Sequence, residues 1–202
     1  MEPIEKDTLS DQKQEIQSNW QNFIKRTFWE IIQTVLLSAI LFIAINLATT
    51  RILVQSVSMQ PTLYESDRVL VNKLAYLFGS PDRKDVIVFN PPVSDVDEPY
   101  IKRIIGLPGD IIRIENGQVF VNDEPLQETY ISAPCAYDGS WSVPSRHVFV
   151  LGDNRNNSYD SHYWGVVALE SVLGKAEFVF WPFDHLKTLN PHNVSAAGSA
   201  NP

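Results

Sequence analysis

Asp110-Ile111-Ile112-Arg113-Ile114-Glu115-Asn116-Gly117-Gln118-Val119-Phe120-Val121 is the run whose reading decides the fold class. Two β-branched stretches flank Asn116-Gly117, a dipeptide that tolerates the positive φ of a tight hairpin turn, so the run reads as an antiparallel hairpin. Runs of the same kind stand on both sides of it. Residues 68–72, 85–89, 147–151 and 176–181 each place β-branched and aromatic side chains between Gly, Pro, Asn and Asp. No long amphipathic helix is written after residue 50, only a short candidate at 74–78. The fold class expected is mainly β and antiparallel, barrel-like or sandwich-like, over residues 51–183. The hairpin and the irregular, proline-bearing stretch after it, about 109–146, read as a smaller inserted β subdomain.

The run from Phe28 to Ala48 is different in kind. Its single charge is Glu30, its main polar interruptions are Gln33 and Asn46, and it is apolar on every face. As a helix it is long enough to cross a hydrocarbon core of about 30 Å, and a buried core helix rarely stays so apolar all round. Residues 28–48 therefore read as a single transmembrane helix. Lys25 and Arg26 precede it and Arg51 is the lone basic residue just after it, which places the amino terminus inside and the bulk of the chain outside. Small-x-small cleavage sites are poorly matched at its end, so the segment reads as a permanent anchor. Residues 1–27 form a cytoplasmic tail on this reading, its first 20 or so mobile or marginally helical. Residues 184–202, polar and low in complexity, are expected to be a disordered tail.

Composition narrows the function. A net charge of −8 with no Lys/Arg cluster argues against a nucleic-acid partner, since phosphate neutralisation needs concentrated positive charge. The one cysteine, Cys135, cannot form an intrachain disulfide and reads as a packing residue. His147, His162, His185 and His192 lack metal-ligand spacing, so neither a zinc site nor another cofactor is expected. The 202 residues suffice for one mid-sized folded unit plus an anchor, read as a monomer.

Three further stretches carry candidate chemistry. Ser56-Val57-Ser58-Met59-Gln60-Pro61-Thr62-Leu63 follows the apolar run closely and holds a compact set of hydroxyls. It reads either as the loop of a nucleophilic serine or as an ordinary Ser/Thr-rich turn. A nucleophilic serine needs a base, and neither a Gly-x-Ser-x-Gly elbow nor a histidine triad is present. Lys102, within Tyr100-Ile101-Lys102-Arg103-Ile104-Ile105-Gly106-Leu107-Pro108-Gly109-Asp110, is the other candidate base, provided burial lowers its pKa; the competing reading is a lysine on the solvated face of a strand. The third stretch is Gly152-Asp153-Asn154-Arg155-Asn156-Asn157-Ser158-Tyr159-Asp160-Ser161.

Taken together and in this order behind an apolar segment, the three stretches resemble the motifs of bacterial type I signal peptidases, a family of Ser/Lys serine proteases. The resemblance runs from the apolar segment to about Trp181. It implies a β-rich catalytic domain with a smaller inserted β region, Ser58 as acyl-forming nucleophile and Lys102 as neutral general base. It also implies an oxyanion hole from the Ser58 N–H and the Ser56 hydroxyl, a bond from Ser158 that orients the lysine amine, and support from an Asp153–Arg103 pair. Asp160 would pair two residues on, where this chain has His162 instead of the family's arginine. A further box resembles residues 82–89, with Lys84 where the family usually has glycine. The implied partners are signal-peptide-bearing precursors, cut after a small residue, and the lipid bilayer of the cell membrane or an internal one. Two rival readings are a self-cleaving, repressor-type core, which the anchor and the lack of a DNA-binding segment oppose, and an anchored β scaffold whose motifs are only turns.

Overall fold

The computed structural model describes residues 4–93 and 98–189, with the side chains of the first helix described at Trp20 and from Phe23 onward. The chain divides into two units at Leu47/Ala48. The first is a single helix, α1 (Ile4–Ala48). It begins well before the span expected from hydropathy, because no Gly or Pro interrupts residues 4–48 and a polar stretch without apolar period can still continue a helix. Within it, Phe23–Ala48 is long and apolar enough to cross a membrane, with a mean hydropathy of 2.3 and none of it buried. Three of its polar side chains turn back on their own helix: Thr34 Oγ1 donates to Glu30 O, Ser38 Oγ to Thr34 O and Asn46 Nδ2 to Phe42 O, each at 2.8 Å.

The second unit is built from antiparallel strands. In chain order they are β1 (Thr49–Leu53), β2 (Arg68–Asn72), β3 (Val86–Phe89), β4 (Tyr100–Gly106), β5 (Ile111–Glu115), β6 (Gln118–Val121), β7 (Glu124–Pro125), β8 (Gly139–Ser142) and β9 (His147–Leu151). After the one-turn helix α2 (Ser161–Trp164) come β10 (Val167–Ala168), β11 (Val172–Trp181) and β12 (Lys187–Thr188). The larger sheet runs β1-β2-β11-β3-β4-β9-β10, with β12 also on β11, and the smaller runs β7-β6-β5-β8. The fold is mainly antiparallel β behind an apolar N-terminal helix.

The 110–121 run forms the hairpin its sequence announces. Glu115 pairs with Gln118, and Asn116 and Gly117 sit at φ 51° and 83°, the left-handed region that Asn and Gly occupy most cheaply. Its inward residues Ile112, Ile114, Val119 and Val121 pack with Phe149 and Leu151 of the larger sheet. Strand β3 alternates between two other clusters. Val86 and Val88 face one with Val69, Val71 and Met59, whereas Ile87 and Phe89 face another with Ile104, Val148 and Val150. The larger sheet is thus covered on both sides, and β4, between β3 and β9, is buried over nearly its whole length.

Two expectations need correction. Residues 74–78 make turns instead of a short helix, with Leu77 N–H donating to Leu74 O. Residues 184–189 are not a loose tail: a 3₁₀ turn (Phe183–His185) and β12 return against β11, and Leu189 is buried in the core. The rest of the expected tail lies outside the described residues. Strands β1, β8, β10 and β12 are too short or too polar to have been read from periodicity; β1, β8 and β10 are held by partner strands across a longer stretch of chain, and β12 folds back on the neighbouring β11.

Candidate active site

Ser58 sits in the loop between β1 and β2, whose far end is anchored by the buried side chains of Met59 and Leu63. Lys102 lies at the third position of β4, opposite Ile87. With a strand on each side and core on both faces, a residue that periodicity alone allows on a solvated face is only 4 % exposed. Its Nζ approaches Ser58 Oγ to 2.6 Å. Burial pushes the Lys102 ammonium down to about 8, against the opposing influence of the Asp160 and Asp153 carboxylates.

Ser56 Oγ is 3.1 Å from Ser58 Oγ. The Ser58 N–H donates no hydrogen bond among the described residues. These groups open onto a cleft of about 590 Å³ whose walls include Ile52, Val54, Val57, Pro99, Tyr100 and Ile101. The arrangement sets a hydroxyl against a buried amine, beside a free N–H and a second hydroxyl, at an apolar cleft. That is chemistry suited to acyl transfer.

Behind the hydroxyl lies the 152–161 stretch. Asn154 N–H donates to Ser58 O at 3.0 Å and its side-chain amide to Val57 O at 3.2 Å, so one residue grips both carbonyls. Asp153 accepts from Arg103 Nε and Nη2 at 2.8 and 2.7 Å, a two-pronged pair buried at both ends. Arg103 also donates to Lys84 O and to Thr62 Oγ1, tying β4 to the loops on either side of it. Asp160 is fully buried, caps α2, and accepts from Gly152 N–H. His162 Nδ1 stands 2.7 Å from Asp160 Oδ1, with the Tyr137 ring stacked on the imidazole at 3.9 Å.

Ser158 does not reach the amine. Its Oγ is buried and has no hydrogen-bond partner, and the expected bond to Lys102 is absent. The Lys102 amine is taken up by Ser58, while the Ser158 hydroxyl lies over the bare Cα of Gly152. Lys84, at the position where the resembling box carries glycine, has φ 75°, a conformation that favours glycine.

Asn154, Gly152 and Arg155 stand inside the motif but had no role assigned from sequence, and Glu128 lies outside every motif. Arg155 and Glu128 form a second buried ion pair at 2.6 Å. The only signal available for Arg155 was its place in the motif. For Glu128 there was none.

Comparison with known proteins bears on the same chemistry. Residues 24–181 match the family described as signal peptidase, peptidase S26. A probable signal peptidase I-2 of Synechocystis sp. is 46 % identical over 165 residues, covering 78 % of this chain and 75 % of the relative. The signal peptidase I of Leptolyngbya laminosa is 43 % identical over 171 residues, covering 80 % and 84 % respectively. A crystal structure of a signal peptidase I from Enterococcus faecalis is 31 % identical, with a TM-score of 0.44, covering 48 % of this chain and 97 % of that one.

Proposed function

The chain belongs to the S26 family of signal peptidases and is a peptide-bond hydrolase of that family, and from this premise we propose that Ser58 and Lys102 are its catalytic pair. The observation that carries the reading is the 2.6 Å contact between the Lys102 amine and the Ser58 hydroxyl inside the fold. A lysine serves as base only when neutral, and burial in β4 favours the neutral form. The neutral amine takes the Ser58 proton as Oγ attacks the scissile carbonyl. Negative charge then gathers on the carbonyl oxygen, where the Ser58 N–H and the Ser56 hydroxyl are placed to donate. The protonated amine next delivers its proton to the departing amino group, leaving an acyl-serine. Lys102, neutral again, activates water to release the acyl chain.

The substrate would be the signal-peptide end of an exported precursor, cut after a small residue. The apolar cleft beside Ser58 suits a small aliphatic side chain. Residues 28–48 would anchor the enzyme with residues 1–27 on the cytoplasmic side and residues 51–183 outside, about 109–146 serving as a smaller β subdomain, and the enzyme acting as a monomer. Self-satisfied polar side chains on α1 support a lipid setting, where no water is at hand to bond them.

The deciding experiment uses purified full-length protein and a precursor peptide with alanine at the last signal-peptide position and two residues earlier. Cleavage after that alanine is expected, with Lys102→Ala lowering turnover by about 10²–10⁴-fold and Ser58→Ala forming no acyl-enzyme. Near-parent turnover by either folded variant sinks the pair. For topology, protease added to intact spheroplasts should digest the chain beyond Arg51 and spare the first 25 residues. The opposite pattern would invert the orientation, and digestion only after internal membranes are opened would place the enzyme there.

A further inference from the structure

We propose that Glu128, Tyr130 and Arg155 are positioning residues for the Ser58 loop: a buried clamp, reaching in from the segment that follows β7, that aims the oxyanion donor. The inference rests on the reading of Ser58 as nucleophile. Arg155 is 1 % exposed. Its Nη1 and Nη2 donate to Glu128 Oε2 and Oε1 at 2.8 and 2.6 Å, and its Nε donates to Gly152 O at 3.1 Å. Tyr130 donates its hydroxyl to Glu128 Oε1 at 2.7 Å and lays its ring 4.0 Å from the Arg103 guanidinium, which in turn holds Asp153. Two consecutive residues, Gly152 and Asp153, are therefore each fixed by a buried arginine, and the two arginines meet at Tyr130.

The next residue transmits that fixing. Asn154 holds Ser58 O through its backbone and Val57 O through its side chain. Val57 O and the Ser58 N–H belong to one peptide unit. In a trans peptide the carbonyl and the N–H lie in one plane and point in opposite directions, so anchoring Val57 O sets where the Ser58 N–H points. An oxyanion donor acts through its preset direction, and a misplacement of about 1 Å can cost on the order of 10²-fold in rate. The carboxylate of Glu128 matters here for a second reason. Without it a buried guanidinium has lost its counter-charge and would turn toward water, releasing Gly152 O.

The test uses the full-length enzyme in detergent micelles, with turnover normalised to the fraction of Ser58 that an acylating inhibitor can titrate. Glu128→Gln keeps the shape and removes the charge. The expected result is kcat per titrated site lower by about 10–10²-fold with KM within about twofold, because the loss falls on the transition state. A merely structural role would lower the melting temperature and the titratable fraction while leaving kcat per titrated site unchanged, and that result overturns the proposal. Should Glu128→Gln not fold, Tyr130→Phe is read in its place, since it keeps the ring on Arg103 and deletes only the bond to Glu128. A fall in kcat per site of at least about threefold supports the clamp, and parent turnover overturns it. Ser58→Ala, measured alongside, separates the two readings. If it is inert while folded Glu128→Gln is fully active, only the clamp fails; if it remains active, the Ser/Lys pair fails and the clamp with it.

Discussion

Gly152 presses against the backbone of Ser58 with no space for a side chain. A Cβ on Gly152 would stand 2.4 Å from Ser58 O and 2.3 Å from Ser158 Oγ, so the two loops can meet only if this residue has none. Gly152→Ala is expected to force them apart, costing about 1–3 kcal/mol of stability and about 10²-fold in kcat/KM. Denaturant unfolding and peptide cleavage would measure the two effects. An alanine variant with parent activity would mean that the loop contact has no bearing on turnover.

The pH profile follows from the state Lys102 must be in. Burial lowers its pKa to about 8, and only the neutral amine can accept the Ser58 proton. The logarithm of kcat/KM should therefore climb with unit slope through the neutral range and level off above about pH 8. A profile that rises only near pH 10 would mark Lys102 as an ordinary solvated amine.

The same lowered pKa acts on stability. Between about pH 8 and 10.5 the unfolded chain holds one more proton than the folded one at this residue, so its share of stability rises with pH across that window. Below about 8 the full cost of burying the charge is present, on the order of 3 kcal/mol. Lys102→Met, inactive, is expected to be more stable than the parent at pH 7 by about 1–3 kcal/mol after loss of the Ser58 contact. The gain should shrink as the pH rises toward 10.5. Equal or lower stability of the methionine variant at pH 7 would contradict this.

Asp153 is the counter-charge of Arg103, and both side chains are almost wholly buried. Asp153→Asn keeps the shape but strands the guanidinium, so a loss of about 3–5 kcal/mol is expected in denaturant titrations. A cost below about 1 kcal/mol would mean that Lys84 O and Thr62 Oγ1 suffice for Arg103.

Lys84 holds φ 75° in the turn before β3. Its backbone carbonyl is what Arg103 uses, not its side chain. Lys84→Gly is expected to relieve a left-handed strain of about 1–2 kcal/mol, partly offset by about 0.4–1 kcal/mol of extra chain entropy in the unfolded state. A net loss of stability would point to an unrecognised contact of the lysine side chain.

The antiparallel hairpin was legible in the sequence because everything it needs is local: alternating β-branched residues on either side of Asn116-Gly117, which reaches positive φ without penalty. The apolar helix was legible for the same reason, although its true start at Ile4 was not, since a polar helix leaves no periodic mark. The three motif stretches were legible as types of residue in a telling order.

What surrounds Lys102 was decided only in three dimensions. Its strand sets Lys102 and Arg103 side by side, which sequence alone lets stand on a half-exposed strand, and its burial depends on the place of β4 between β3 and β9, the latter from residues 147–151, and on the Ser58 loop. The bond to Ser58 bridges 44 positions, and the clamp from Glu128 to Arg155 bridges 27. Ser158 shows the converse, a motif hydroxyl that tertiary packing lays over Gly152 and leaves without a partner. Local order lies in the chemistry of adjacent residues, which a sequence displays. The charge state of a buried amine is set by whatever the folded chain brings around it, and sequence distance is blind to that.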